Sequence, residues 1–274
     1  MMKHHSELSG WCFVFLSTML KIAWAPNYVL PLPPNHRFPM SKYEVLPQQL
    51  LHEGTVSTEN FFAPNPAMGS LITRTHEETY WMRLNKLELS PQEIRRTGFP
   101  LTQALVDREV IIMQGTVQCT QYALQYGVSM NIAGGTHHAF TNRGEGFCLL
   151  NDIAIAANYL LDQRQASKIL VVDLDVHQGN GTAQIFRNEP RVFTFSMHGA
   201  NNYPLHKEYS DLDKLGKLSV TREGCKQRDR IVLDTAKRNK IPLVASMGGG
   251  YSKNFRDIIE AHANTYRLAQ EIFF

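Results

Sequence analysis

The sequence lacks several features that mark specialised classes of protein. Its 274 residues contain no internal repeat and no low-complexity tract. Basic and acidic residues are interspersed and the formal net charge is only +3, so a nucleic-acid surface is not indicated. The four cysteines form no Cys-x-x-Cys pair, which favours reduced thiols in an intracellular protein over a disulfide framework.

The sequence also lacks a long apolar run. The apolar stretch Trp11–Leu16 resembles the centre of a signal peptide, and Ala23–Ala25 has the small-x-small pattern of a cleavage site. An apolar run of about ten residues is too short to cross a bilayer, so we expect no membrane partner. We favour an N-terminal extension at 1–18 before a single domain at 19–274, with a signal peptide as the alternative. The expected location is the nucleus, the cytoplasm or both.

Short apolar runs alternate with longer amphipathic segments along the rest of the chain. Hydrophobic residues make up 43% and charged residues 19%, which is typical of a globular protein with one large core. This alternation predicts a parallel sheet with helices on both faces. The predicted strands are 128–132, 169–176, 191–197 and 243–247, and the main predicted helices are 41–51, 105–126, 151–161, 181–186, 221–239 and 254–274. Ser90 before Pro91 predicts a further helix start.

The stretch 169–181 is the most informative of these segments. Four apolar residues indicate a buried strand, and strict alternation follows them. In an extended chain Asp173, Asp175 and His177 lie on the same face, and Gly179-Asn-Gly181 permits a sharp turn. Two carboxylates and an imidazole at a strand end favour a divalent metal. The alternative is a solvated strand end.

Two other predicted strands also end in glycines followed by reactive side chains. Gly134-Gly-Thr-His-His138 follows the strand at 128–132, and Gly248-Gly-Gly-Tyr251 follows the strand at 242–247. Ordinary histidines on a surface loop are the alternative for the first of these. Ligands in α/β sheets bind beyond the carboxyl ends of the strands, so the three motifs together predict one site.

These motifs, with Gly146-Phe-Cys-Leu-Leu-Asn-Asp152, resemble the zinc-dependent histone deacetylases of the arginase/deacetylase superfamily. The segment Leu30–Met40 is most similar to the class IV branch and its bacterial relatives, and the resemblance runs from about Met19 to Phe274. It implies a single α/β domain, a parallel-sheet sandwich of the arginase/deacetylase type. The implied activity is hydrolysis of acetyl or longer acyl groups on lysine side chains of histones or other proteins.

The resemblance also implies roles for individual residues. Asp175 and His177 match zinc ligands, and zinc hydrolases have three protein ligands with one position left for water. The residues that match catalytic positions are His137, His138, Asp173, Asn180 and Tyr251. Asp173 would orient His137, which we assign as the base, and Asn180 would orient His138. Since an amide adds no charge, we expect His138 to be less basic than it would be beside a carboxylate.

Other matched residues would bind the substrate or a second ion. Phe147 matches a wall of the acetyl-lysine tunnel, and Gly146 and Gly249 belong to the same substrate-binding motifs. Arg37 resembles a buried loop arginine that helps acetate to leave. Asp173, Ser196 and nearby carbonyls match a site for a monovalent cation such as K⁺.

The resemblance is interrupted at the 213/214 junction. Relatives contain a further central strand unit whose Gly-x-Asp motif supplies the third zinc ligand. Here 199–241 shows one helix and no convincing strand, and a complete strand–helix–strand unit needs about 30 residues or more. We therefore expect the fold to lack one central strand, leaving a gap between the strands at 191–197 and 242–247. We also predict an irregular, solvent-facing segment at 199–218.

Three functions remain open from the sequence. The first is a zinc-dependent deacylase with impaired activity. The second is a catalytically inactive shortened form that acts by binding partners of the complete enzyme. The third is another chemistry of the superfamily, such as arginase-like hydrolysis, which the Gly-Gly-Gly-Tyr motif disfavours.

Overall fold

Parallel strands connected by helices form the framework of the computed structural model, which describes residues 18–216 and 220–274. The strands are β1 (Lys21–Ala23), β2 (Phe61–Phe62), β3 (Val128–Asn131), β4 (Ile169–Asp173), β5 (Val192–Gly199), β6 (Leu212–Gly216) and β7 (Leu243–Ser246). The α-helices are α1 (Lys42–His52), α2 (Gly69–Ile72), α3 (Glu78–Asn85), α4 (Pro91–Thr97), α5 (Gln103–Tyr126), α6 (Asp152–Asp162), α7 (Asn180–Phe186), α8 (Arg222–Arg238) and α9 (Phe255–Phe273). The α/β fold class predicted from the sequence is confirmed.

The predictions for the N-terminus concern residues that the structure largely does not describe. Residues 1–17, which include most of the predicted extension and the apolar segment that resembles a signal peptide, lie outside the described residues. Within 18–216 and 220–274, no helix combines the length and the apolar character needed to cross a membrane.

The strands form two separate parallel sheets. One has the order β2-β1-β3-β7 and the other has the order β4-β5-β6. Asn131 at the end of β3 is paired with Ser246 of β7, and Asp173 at the end of β4 is paired with Ser196 of β5. Because these pairs are parallel, the loops that follow β3 and β7 leave from the same edge of one sheet, and the loops that follow β4 and β5 leave from the same edge of the other.

Side-chain caps define the starts of several helices. The hydroxyl of Ser90 accepts a hydrogen bond from Glu93 N, and the Glu93 side chain bonds back to the Ser90 backbone, which completes a capping box. Thr102 caps α5 and Thr221 caps α8 in the same manner, each accepting from a backbone N–H three residues later. Helix α5 packs against β1, β3, β7 and α6 and supplies much of the main core.

The prediction of an irregular segment at 199–218 was wrong for β6. Leu212–Gly216 pairs with Phe195–Gly199 of β5, and the Asp211 carboxylate accepts hydrogen bonds from the backbone N–H and hydroxyl of Thr194. The backbone ladder with β5 outweighs the turn-forming tendency of the asparagines, proline and glycine in this segment. The last two residues of the predicted segment lie outside the described part of the chain.

The prediction of a gap between the strands at 191–197 and 242–247 was wrong for β5 and right for β7. Strand β5 was expected to have an unpaired side, but it is hydrogen-bonded to β4 on one side and to β6 on the other, so it is not an edge strand. The edge strands of the two sheets are β2 and β7 in one and β4 and β6 in the other, so the expectation of an unpaired side holds for β7. The prediction of a buried strand at the start of 169–181 was wrong for one face of β4, since Leu170 is 60% exposed and its register partner Phe193 of β5 is 47% exposed. A break in the sheet and an uncovered apolar face thus occur together at β4.

Candidate active site

A cavity of about 330 Å³ opens where the loops after β3, β4 and β7 meet. It is lined by most of the predicted site residues, namely Arg37, His137, His138, Gly146, Phe147, Asp175, His177, Gly249 and Tyr251. Asp173 and Asn180 lie behind the two histidines and bind their rings. The fold therefore brings together residues that are up to 214 positions apart in the sequence.

His137 is paired with a carboxylate inside the protein. Its Nδ1 lies 2.6 Å from Asp173 Oδ2, and only 7% of the residue is exposed. Burial opposes the imidazolium form, but the charge and hydrogen bond of Asp173 outweigh it and raise the pKa of His137 to about 9. At neutral pH this ring is therefore protonated.

His138 is held in a neutral state. Its Nδ1 lies 2.7 Å from Asn180 Oδ1, and its ring centre is 4.1 Å from that of His137. Burial and the neighbouring charge of His137 hold the pKa of His138 well below its ordinary value. The hydrogen bond to Asn180 acts in the opposite direction, so the expectation that an amide leaves His138 less basic than a carboxylate would stays a prediction.

The loop after β4 does not continue as an extended chain, contrary to the expectation for 173–177. The strand ends at Asp173, whose Oδ1 accepts a hydrogen bond from Asp175 N, and Asp175 Oδ1 accepts from His177 N in turn. Two consecutive Asx-type turns replace the strand because these carboxylates bind the backbone two residues on. Asp173 consequently faces His137, while Asp175 faces His177.

A close approach explains the glycine that follows this loop. Gly179 has an ordinary φ of −73°, so the sharp turn does not require left-handed backbone there. A Cβ atom at Gly179 would lie 2.2 Å from Asp173 Oδ2, so any larger residue would displace the carboxylate from His137. The glycine is needed for space.

The metal donors at this site are fewer than a catalytic zinc needs. Asp175 Oδ1 and His177 Nδ1 are 3.0 Å apart and could hold one ion between them. In the part of the chain that the structure describes, no group of three or more His, Cys, Asp or Glu side chains could hold a metal. Catalytic zinc sites have three protein ligands, so the two residues present do not complete one.

The predicted K⁺ site stays a prediction. Asp173 and Ser196 end neighbouring strands in matching register. The buried Ser196 hydroxyl is engaged by His198 Nδ1 at 2.8 Å.

Aromatic rings form the walls of the cavity. Phe147 has a φ of +66° and packs beside Phe38 and Phe99, with ring centres 5.2 and 5.1 Å away. Tyr203, which sequence reasoning missed, lines the cavity as well and directs its ring edge-on to His138 at 4.9 Å. Its place in the loop after β5 was the only signal in the sequence that could have indicated it.

Tyr251 stands at the mouth of the site. It is 48% exposed, and its ring centre lies 6.1 Å from that of Phe147. Partial burial of the side chain raises the pKa of Tyr251 above its ordinary value, so the hydroxyl keeps its proton at neutral pH. Gly249, two residues earlier, has φ +65°, and a Cβ there would lie 2.6 Å from Asp175 Oδ2.

The buried basic residues in the cavity differ from the predicted one. Arg37 is exposed, with its guanidinium 4.8 Å from the Phe147 ring centre, so the expectation of a buried arginine was wrong. Lys42 and Arg108 are buried basic side chains that line the cavity, and Lys42 Nζ donates to the carbonyl of Gly249. Burial and the charge of Arg108 lower the pKa of Lys42 to about 7. Lys42 begins α1 and reaches the site, whereas the side chain of Arg37 stays near the surface.

Comparisons with known proteins agree with this geometry. A model of the histone deacetylase domain matches residues 36–213. An uncharacterised protein of Picosynechococcus sp. is 36% identical over 296 residues, covering 92% of this chain and 99% of the relative. Histone deacetylase 2 of Arabidopsis thaliana is 26% identical over 282 residues, covering 82% and 72% of the two chains.

A solved structure supports the fold independently. The crystal structure of the HDA15 HD domain superimposes with a TM-score of 0.77 at 14% identity, covering 93% of this chain and 90% of that one. The α/β fold, the paired histidines at the carboxyl ends of the strands and the matched domain model agree with one another. This chain belongs to the histone deacetylase family.

Proposed function

We propose that this chain is a lysine deacylase of low activity, which removes acetyl or longer acyl groups from histone or other protein lysines in the nucleus or cytoplasm. The observation that carries the proposal is the cavity in which two differently charged histidines and a tyrosine converge. Family membership supports hydrolysis of this type. The acyl-chain length and the class IV relationship belong to the proposal.

The cavity suits an acylated lysine side chain. The rings of Phe147 and Tyr203 give apolar walls for the four methylene groups of lysine, as apolar pockets with a few polar groups commonly do. Tyr251 would donate a hydrogen bond to the substrate carbonyl and to the oxyanion that develops from it. Neither role requires a charge on the substrate, and the amide of an acylated lysine is neutral.

The charge states favour a division of labour between the histidines. His138 is neutral at pH 7 and can accept a proton from water, whereas the protonated His137 can stabilise negative charge. We therefore assign the base to His138, although the sequence had suggested His137. Asp173 keeps His137 charged through the 2.6 Å hydrogen bond.

Zinc would be held by Asp175 and His177. A bound zinc would supply an activated water and polarise the substrate carbonyl. With two donors in place of three we expect weak binding, and the two histidines and Tyr251 remain in position without the metal.

The test is hydrolysis of an acetyl-lysine peptide by the purified chain with added Zn²⁺. We expect slow turnover that is lost in Tyr251→Phe and in His138→Ala, with Tyr209→Phe as the matched control because Tyr209 is 67% exposed. Turnover that survives in Tyr251→Phe, His138→Ala and His137→Ala would contradict the proposed chemistry.

The second candidate is a catalytically inactive binding form. The incomplete set of metal donors favours it. Metal analysis separates the two functions, since tightly held zinc at one ion per chain would count against the inactive form. Binding of the acetyl-lysine peptide without hydrolysis, at saturating Zn²⁺, would support it.

A further inference from the structure

A carboxylate that the proposed chemistry does not use lies behind the cavity wall. Glu145 Oε1 accepts a hydrogen bond from Asn180 Nδ2 at 2.8 Å and another from the Tyr203 hydroxyl at 2.9 Å. Its side chain is only 13% exposed, and Arg143 Nε lies 3.6 Å from the other oxygen. Glu145 therefore contacts the residue that binds His138 and a residue that lines the cavity.

The first contact fixes the orientation of an amide. An ionised carboxylate can only accept hydrogen bonds, so the Asn180 group that faces Glu145 has to be its NH₂. The carbonyl oxygen of Asn180 must then face His138 Nδ1, at the observed 2.7 Å. An amide oxygen cannot donate, so this bond requires the proton of the neutral imidazole to be on Nδ1.

The second contact positions the cavity wall. The Tyr203 hydroxyl donates to Glu145 Oε1, the oxygen that also accepts from Asn180. Burial of Tyr203 and the charge of Glu145 raise the pKa of Tyr203, so its hydroxyl keeps its proton. The ring then lies edge-on to both His138 and His177, with centres 4.9 and 6.1 Å away. One carboxylate thus orients both a proton-transfer group and a wall of the cavity.

We propose that Glu145 is a positioning residue that holds the proton of His138 on Nδ1 and leaves Nε2 free to accept a proton. Its effect on hydrolysis rests on the function proposed above. Its effect on the tautomer of His138 does not, because hydrogen bonds within this chain alone determine it.

The experiment measures the imidazole tautomer directly. Long-range ¹H–¹⁵N NMR spectra of the full chain at neutral pH distinguish Nδ1–H from Nε2–H, and the His138 signals are those missing in His138→Gln. We expect the Nδ1–H form in the unaltered chain and a mixture of tautomers in Glu145→Met, which keeps the length but provides no carboxylate. Glu145→Gln should retain Nδ1–H because its amide oxygen still accepts from Asn180.

Controls and a second variant make the outcome decisive. Glu88→Gln is the matched control, since Glu88 is exposed and far from His138 in the sequence, and should leave the spectrum unchanged. Glu145→Ala repeats the test if the Met variant does not fold, and Asn180→Ala shows the spectrum expected when the amide is lost. A His138 that stays fully Nδ1–H without a carboxylate at 145 overturns the proposal, as does a Gln variant that matches the Met variant.

Kinetics distinguish this inference from the proposed function. If peptide hydrolysis is measurable, Glu145→Met should lower kcat by about 10-fold or more, as loss of a partner that orients a catalytic group commonly does, with KM little changed. If no variant hydrolyses the peptide but the tautomers change as expected, the proposed function fails and the inference stands. If hydrolysis proceeds but the tautomer of His138 is unchanged by substitution of Glu145, the inference fails and the proposed function stands.

Discussion

Removal of the Asp152 carboxylate should destabilise the domain more than any exposed substitution. Asp152 is fully buried at the start of α6. Oδ1 accepts from the backbone N–H and the hydroxyl of Thr136 at 2.9 and 2.8 Å, and Oδ2 accepts from the hydroxyls of Thr116 and Ser246 at 2.8 Å each. One side chain therefore joins α5, β7 and the loop that bears the paired histidines.

The magnitude follows from what each donor can do once the carboxylate is gone. In Asp152→Ala the buried Thr136 N–H has lost its acceptor, which costs about 1–3 kcal/mol, and three hydroxyls lose their charged acceptor as well. We expect a total loss of about 3–5 kcal/mol. In Asp152→Asn the amide oxygen can still serve Thr136, and the hydroxyls of Thr116 and Ser246 can rotate to accept from the NH₂. This variant should lose only about 1–2 kcal/mol.

The assay is urea unfolding of the three chains, followed by far-ultraviolet circular dichroism. Asp107→Asn is the matched control because Asp107 is exposed and its carboxylate accepts a hydrogen bond from Gln103, four residues before it, so its effect should stay within about 0.5 kcal/mol. The reasoning is refuted if Asp152→Ala is no more destabilising than this control. It is also refuted if Asn and Ala at position 152 cost the same.

Three further outcomes are expected. Since Asp173 raises the pKa of His137 from 6.5 to about 9, its stabilisation is complete below pH 6.5 and is lost as the pH rises through 9. Asp173→Asn should therefore cost more at pH 6 than at pH 10 in urea unfolding, and equal costs would contradict the pairing. Insertion of a Gly-x-Asp strand unit at the 213/214 junction should raise the melting temperature, the zinc content and the turnover. Unchanged values would show that the zinc site does not lack a third ligand from this unit. Leu170→Lys and Phe193→Lys should reduce light scattering at unchanged urea midpoints, because these side chains are 60% and 47% exposed; stronger scattering would contradict an exposed apolar face.

The sequence determined the type and order of most elements because their signals are local. Ser90 with Glu93 predicted the start of α4, and α5 ends at Tyr126, just before Gly127, so that it matches the predicted 105–126 almost completely. The motifs after β3, β4 and β7 predicted one shared site, because parallel strands place their carboxyl ends on the same side of the fold. None of these inferences requires knowledge of distant contacts.

Only the tertiary structure decided which strands pair and which side chains are buried together. The partner of β6 is β5, a pairing that the turn-forming residues before β6 obscured. Lys42, and not Arg37, is the buried basic residue because Lys42 donates a hydrogen bond to Gly249, which is 207 residues away in the sequence. The sequence determined the chemistry of the site through local spacing. The charge states of the histidines, the network behind them and the open edge of β4 depend on contacts between distant segments, which exist only once the chain has folded.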